Sequence, residues 1–149
     1  MKKIFISFSS KQTSEAEEIC NFLEKNNISC FISTRDLVAG EEYAAQLIQN
    51  IDSADAVLLI LTPDSNESPH VLREVEYAVS HRTPILVYSL IETTLSKSME
   101  YFLMTHQWIT PNGDREQKLL YSIEHLATNE SKDASSSKVE PSNDIPNSS

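Results

Sequence analysis

Two carboxylates on one expected helix are the groups in this sequence whose placement most suggests chemistry. A helix from Ser68 to about Ser80 centres its apolar face on Val71, Leu72, Val75, Ala78 and Val79. Glu74 and Glu76 then lie about equally far to either side of that face. Either could meet a ligand, and helical phase alone does not choose between them. Further polar groups follow short apolar runs: Ser9, Ser10 and Lys11 after Ile4–Phe8, Arg35 and Asp36 after Ile28–Ile32, and Thr62–Ser68 after Ala56–Leu61. Hydroxyls and a cation just ahead of a helix, as at Ser9-Ser10-Lys11, suit a diphosphate, and they equally make an ordinary polar loop. Arg35 and Asp36 have two readings, orienting a substrate or pairing with each other.

Several other chemistries are absent. The chain has two glycines, Gly40 and Gly113, so neither GxGxxG nor a phosphate-binding P-loop can be built. The four histidines show no HxxxH or HExxH spacing, and Cys20 and Cys30 form no CxxC, so no metal site is expected. The cysteines read as buried thiols of a reduced protein. No Gly-x-Ser-x-Gly elbow supports a Ser-His-Asp triad. The first apolar run ends without the acidic pair of a phosphate-accepting receiver, which leaves Asp64 as a turn residue.

The elements that must hold these groups alternate between two periodicities. Strands are expected at Lys3–Phe8, Ile28–Ile32, Ala56–Leu61, Ile85–Leu90 and, shorter, Gln107–Ile109. The helix after the first strand carries Ala16, Ile19, Cys20 and Leu23 at helical spacing and begins with a Ser14/Glu17 capping box. A loop from Ser33 to Gly40 leads into a helix with Ala44, Leu47, Ile48 and Ile51 on its inner face. Thr62–Glu67 reads as a loop, and Ser68-Pro69 as a helix start. Leu95–Met104 is either a short helix or irregular. After a turn at Asn112-Gly113-Asp114, Leu119, Leu120, Ile123 and Leu126 mark a last helix.

Five β-α alternations predict an α/β domain over residues 1–126, a doubly wound, five-stranded parallel sheet covered by helices. Ligands of such sheets gather at the carboxyl ends of the strands, where the polar groups lie. Residues 127–149 are rich in serine and asparagine, with Val139 and Ile145 as the large apolar residues, and are expected to be a disordered tail. The net charge of −10, without a basic cluster, argues against nucleic acid. No run reaches the roughly 18–20 apolar residues of a membrane span. Ile4-Phe5-Ile6 is too short for a signal peptide, so a cytoplasmic protein without membrane contact is expected.

Four segments in order carry a family resemblance. Ile4-Phe5-Ile6-Ser7-Phe8-Ser9-Ser10-Lys11 resembles the opening box of a Toll/interleukin-1 receptor (TIR) domain. Phe31 to Gly40 resembles its BB loop, with Arg35, Asp36 and Gly40 in place. Ser68 to Ala78 resembles its third helix, and Glu100 to Leu103 with His106 to Ile109 is similar to the ending of stand-alone prokaryotic members. The resemblance covers about residues 3–126 and implies a flavodoxin-like fold with strand order 2-1-3-4-5.

What the resemblance implies about function is specific. Many such domains cleave NAD+ as a substrate, with no further cofactor, releasing nicotinamide and an ADP-ribose product. The family's glutamate maps onto Glu74, and this choice between the two carboxylates comes from the resemblance. Substrate-binding positions would be Phe8, Ser9, Ser10, Lys11, Arg35, Asp36, Gly40, Tyr43 and Ser68. Phe8 is either a ring against base or ribose, or strand-end packing. Tyr43, where relatives often carry tryptophan, walls the pocket or simply packs, and Gly40 answers a backbone need. Ser33 stands where some relatives have aspartate, so BB-loop contacts do not transfer wholesale. Implied partners are NAD+, the same or other TIR domains through the BB loop (33–43), and a separate effector sensing the product, as in Thoeris-type anti-phage defence. That setting also assumes the chain carries no effector domain of its own. The rival implication is a non-catalytic TIR–TIR interaction module, either a signalling scaffold or a virulence protein acting on host adaptors. A related nucleoside-processing enzyme would also use a helix-borne glutamate, but the BB-loop pattern speaks against it.

Overall fold

A computed structural model describes residues 1–109 and 113–126; the expected tail at 127–149 lies outside the described residues. Five strands form one parallel sheet: β1 (Lys3–Ser7), β2 (Ser29–Phe31), β3 (Ala56–Leu61), β4 (Ile85–Ser89) and β5 (Gln107–Ile109). Their spatial order is β2-β1-β3-β4-β5. All four neighbouring pairs are parallel, with Ser7 beside Leu59 and Leu59 beside Val87. Among the described residues six α-helices connect the strands and a seventh follows β5: α1 (Thr13–Lys25), α2 (Ser33–Asp36), α3 (Tyr43–Asp52), α4 (Pro63–Asn66), α5 (Pro69–Ser80), α6 (Lys97–Leu103) and α7 (Arg115–Glu124).

Alternation along the strands divides the core into two layers. Ile4, Ile6, Leu58, Ile60 and Leu86 pack against Ala16, Cys20 and Leu23 of α1 and Leu119 and Ile123 of α7. Phe5, Leu59, Leu61, Ile85 and Val87 face Leu47 and Ile51 of α3, Val71, Val75 and Ala78 of α5, and Met99 and Leu103 of α6. Every residue of β3 is fully covered, as its unbroken apolar run requires. Ser7 shares the parity of Phe5, and its side chain bonds to α5.

The connections depart from expectation in instructive ways. The Ser14/Glu17 capping box does not form, because a single 3-10 turn at Ser10–Gln12 runs directly into α1 at Thr13. The Ser33–Gly40 loop opens with the one-turn helix α2, stapled where Asp36 Oδ2 accepts from the Ile32 N–H at 2.9 Å. Thr62–Glu67 likewise contains α4, where Thr62 and Ser65 cap each other's backbone. Leu95–Met104 resolves as α6, capped by Ser96. On α3, Leu47 and Ile51 are buried as expected, whereas Ala44 and Ile48 are exposed and line a cleft. Gln46 is buried in their stead. It accepts from Val38 N–H (2.6 Å) and donates to the carbonyls of Val38 and Glu41, which ties down the 37–42 loop. Cys20 and Cys30 are buried free thiols.

Candidate active site

The helix expected to carry the key carboxylate is well founded at its start. The Ser68 hydroxyl accepts from Val71 N–H at 3.2 Å, and Pro69 fills the first helical position, where its missing N–H costs nothing. Ser68 is thus placed as the N-cap of α5. Six residues on, Glu74 is buried at 7% exposure, while Glu76 is exposed. Helical phase left these two equivalent; the carboxyl end of β1 lies on the Glu74 side.

Both Glu74 oxygens are engaged. The Ser7 hydroxyl donates to Oε1 at 2.6 Å, and His70 Nε2, one helical turn earlier, lies 3.3 Å from Oε2. The Tyr43 hydroxyl, from the start of α3, hydrogen-bonds the same His70 nitrogen, and the two rings lie 5.4 Å apart. Burial pushes the Glu74 carboxyl up from 4.5 to about 7, opposed by the Ser7 hydrogen bond. Burial, with help from the Arg73 charge, holds the His70 imidazole below its usual value. Burial and then the Glu74 charge raise the Tyr43 phenol. Neutral imidazole and a carboxyl close to half protonation at neutral pH are the states this environment favours.

A cleft of about 620 Å³ opens at this group between α3 and α5. Tyr43 and His70 wall one end, Leu47, Ile48 and Tyr77 supply apolar surface, and Arg73 stands at the margin. The volume suits a small molecule with planar rings.

Other sequence-predicted positions lie elsewhere. Phe8 is buried at 8% exposure in the α1/α7 layer, on the face of the sheet opposite Glu74. Ser9 caps the 3-10 turn, accepting from Lys11 N–H at 3.2 Å, and the Ser10 carbonyl accepts from Thr13. Lys11 lies 3.8 Å from Asp64. Arg35 pairs with Asp36 (2.7 Å) and with Glu24 of α1 (2.8 Å), and also donates to the Cys30 carbonyl. Gly40 has φ +89°, a backbone that L side chains adopt at a cost, with open space where a Cβ would go. Tyr43 is the substrate-binding candidate that the fold brings to Glu74.

Sequence reasoning missed Ser7, His70, Gln12 and Arg73. Ser7 was visible as a hydroxyl interrupting an apolar strand, on the parity of Phe5. His70 was visible as the i−4 neighbour of Glu74. Gln12 is buried and bridges Asp64 (3.0 Å) and Thr62 (2.9 Å), which locks the β1 and β3 ends together; nothing local signalled it. Among the described residues, no group of three or more His, Cys, Asp or Glu is placed to hold a metal ion, and no helix is long and apolar enough to cross a membrane.

The parallel order 2-1-3-4-5 with a helix-borne carboxylate at its carboxyl edge defines a flavodoxin-like domain of a particular kind. The chain belongs to the TIR domain family, whose model matches residues 4–122. Its fold is similar to the TIR domain of the Toll-related receptor TRR-2 from Hydra magnipapillata (TM-score 0.67, 16% identity, covering 82% of this chain and 98% of that one). The TIR domains of the activated Roq1 resistosome are comparably similar (TM-score 0.66, 14% identity, 83% and 99%). A CMP N-glycosidase from Clostridium botulinum shares the architecture more distantly (TM-score 0.59, 14% identity, 84% and 100%). No curated protein matches in sequence.

Proposed function

We propose that this TIR domain is an NAD+ glycohydrolase or ADP-ribosyl cyclase in which Glu74 is the catalytic residue. The observation that carries the reading is a carboxylate buried at a cleft and, among the described residues, without a guanidinium or ammonium within ion-pair distance. Burying such a group costs stability, and the hydrogen bond from Ser7 offsets that cost only in part. A purely scaffolding domain leaves that cost unexplained.

The chemistry requires little else. Glycosidases commonly need one carboxyl group to protonate the leaving oxygen and a second to stabilise or attack the sugar. Nicotinamide departs from a cationic nitrogen as a neutral molecule, so no acid is needed. One carboxylate beside the nascent oxocarbenium, or holding the ribose hydroxyls, supplies the remaining stabilisation. Ser7 and the Tyr43–His70 pair fix its orientation from two sides, and the aromatic wall offers a surface for a planar ring. The fold likeness to a CMP N-glycosidase supports the reading by analogy only, as an architecture on which N-glycosidic bonds are cleaved.

The product would act as a nucleotide signal for a separate effector, in the manner of Thoeris-type defence, and assembly through the BB loop would regulate its formation. Incubating the purified chain with NAD+ and following nicotinamide release tests the enzyme directly. Glu74→Gln is expected to lower the rate by about 10²–10³-fold while keeping the fold, the scale for removing one transition-state stabiliser. An undiminished rate in that variant overturns the assignment, and the product mixture distinguishes hydrolysis from cyclisation.

A further inference from the structure

An NAD+ molecule carries two phosphates, and the whole chain, at net charge −10, repels anions at long range. A local cation must therefore receive them. The sequence pointed to Lys11, yet Lys11 lies against Asp64, and Arg35 is held by Glu24 and Asp36 with its guanidinium committed to α1 and β2. Neither lines the α3–α5 cleft.

Arg73 does line it. It is exposed, and among the described residues no carboxylate lies within ion-pair distance of its guanidinium, although Glu76 sits three positions on and Glu74 is adjacent. Of the described residues around the cleft it is the one permanent cation. Its charge is felt by both groups that orient Glu74, lowering the proton affinity of His70 and of Tyr43, so it stands close to the reacting end. In NAD+ the phosphate is joined to the 5′ carbon of the very ribose whose C1′ reacts. A phosphate receptor therefore belongs one sugar's width from the catalytic carboxylate. Consecutive Cα atoms are about 3.8 Å apart and their side chains splay by about 100° around a helix, which puts a long arginine side chain beside, not over, its glutamate neighbour.

We infer that Arg73 is the phosphate-binding residue of this cleft, with its guanidinium fork engaging the diphosphate of the nucleotide while Glu74 faces the ribose. The assignment rests on the proposed NAD+ reading for the identity of the ligand. A planar fork of N–H donors matches phosphate oxygens better than a lysine ammonium does. Specificity follows: the residue favours phosphorylated substrates and contributes far less toward cleavage of the bare nucleoside.

The test compares NAD+ with nicotinamide riboside, which has the same scissile bond and no phosphate, in the wild type, Arg73→Gln and Arg73→Lys. Calorimetric binding of ADP-ribose is measured in parallel. Arg73→Gln should raise KM for NAD+ and weaken ADP-ribose binding by about 10- to 100-fold, the scale of charge-assisted hydrogen bonds. Turnover of nicotinamide riboside should fall far less than that of NAD+, and Arg73→Lys should recover part of the loss. Equal losses on both substrates, or none on either, overturn the inference. If the wild type binds ADP-ribose through Arg73 but releases no nicotinamide, the catalytic reading falls and the phosphate site stands. If it neither binds ADP-ribose nor cleaves NAD+, both fall. The side chain is exposed and in no ion pair among the described residues, so the variants are expected to keep the wild-type circular dichroism and melting temperature.

Discussion

Glu74 is kept on the edge between two protonation states, and this makes its contributions to activity and to stability run in opposite directions. Its pKa is raised in the folded chain to about 7, chiefly by burial. A group raised on folding contributes its full stability below the unfolded value and loses it as pH rises through the folded one. Between about pH 4.5 and 7 the native state therefore weakens as Glu74 ionises, while the carboxylate that the proposed chemistry uses accumulates. We expect kcat/KM for NAD+ to rise across this window and level off above about pH 7. Glu74→Gln should abolish that rise and be more stable than the wild type at pH 8 by up to about 3 kcal/mol, with the difference fading near pH 4. Urea denaturation at the two pH values reads the second effect; a variant less stable than wild type at pH 8 would contradict it. Gln suits the site because its carbonyl oxygen can still accept from Ser7 and its amide can donate to His70.

At the scale of elements, the carboxylate is only as well placed as the first two turns of α5. Ser68 caps the helix and Pro69 fixes its first dihedral, so His70 and Glu74 inherit their positions from a start that is local and readable. Ser68→Ala should cost about 1 kcal/mol in urea denaturation, and Ser68→Asp should restore most of it, since both Ser and Asp accept from the N-terminal amides. If Ser68 also contacts substrate, nicotinamide release falls in Ser68→Asp although stability does not. The 37–42 loop depends in a different way on distant parts. Gln46 of α3 binds Val38 and Glu41 across it, and Gly40 supplies the positive φ that closes it. The sequence showed the glycine but gave no sign of Gln46. The short helices α2 and α4 were equally hidden: each is a single turn, α2 held by one side chain bonding one backbone amide and α4 by a reciprocal pair, and so leaves no periodic trace.

On the scale of the whole molecule, β3 is the element on which the two layers meet. Strand order places it between β1 and β4, so that Leu59 adjoins Ser7 on one side and Val87 on the other. Leu59 is fully buried in the layer that supports α5. Leu59→Ala is expected to destabilise the fold by about 2–5 kcal/mol, seen as a lower urea midpoint. A loss below about 1 kcal/mol would mean that the layer collapses readily around the deletion. The same topology separates Phe8 from Glu74: one residue of strand parity sends Ser7 to the layer of α3 and α5, beside Glu74, and Phe8 to the other.

The sequence by itself determined the sheet, its longer helices and the polar edge at the carboxyl ends of the strands, because apolar periodicity is a local property that parallel topology converts into a fold. It also supplied the family, through four boxes of contiguous residues, and with it Glu74. Tertiary structure alone decided which flank of α5 is buried, since that depends on where the end of β1 lies. It likewise brought Ser7, Tyr43 and His70 together from three elements around one carboxylate, and it tied Lys11 and Arg35 to acidic neighbours while placing Arg73, unpaired among the described residues, at the cleft. Charges and hydroxyls carry no periodic signature of their own. Their roles are set by distances of a few ångströms between segments far apart in the chain, and those distances exist only once the layers have packed.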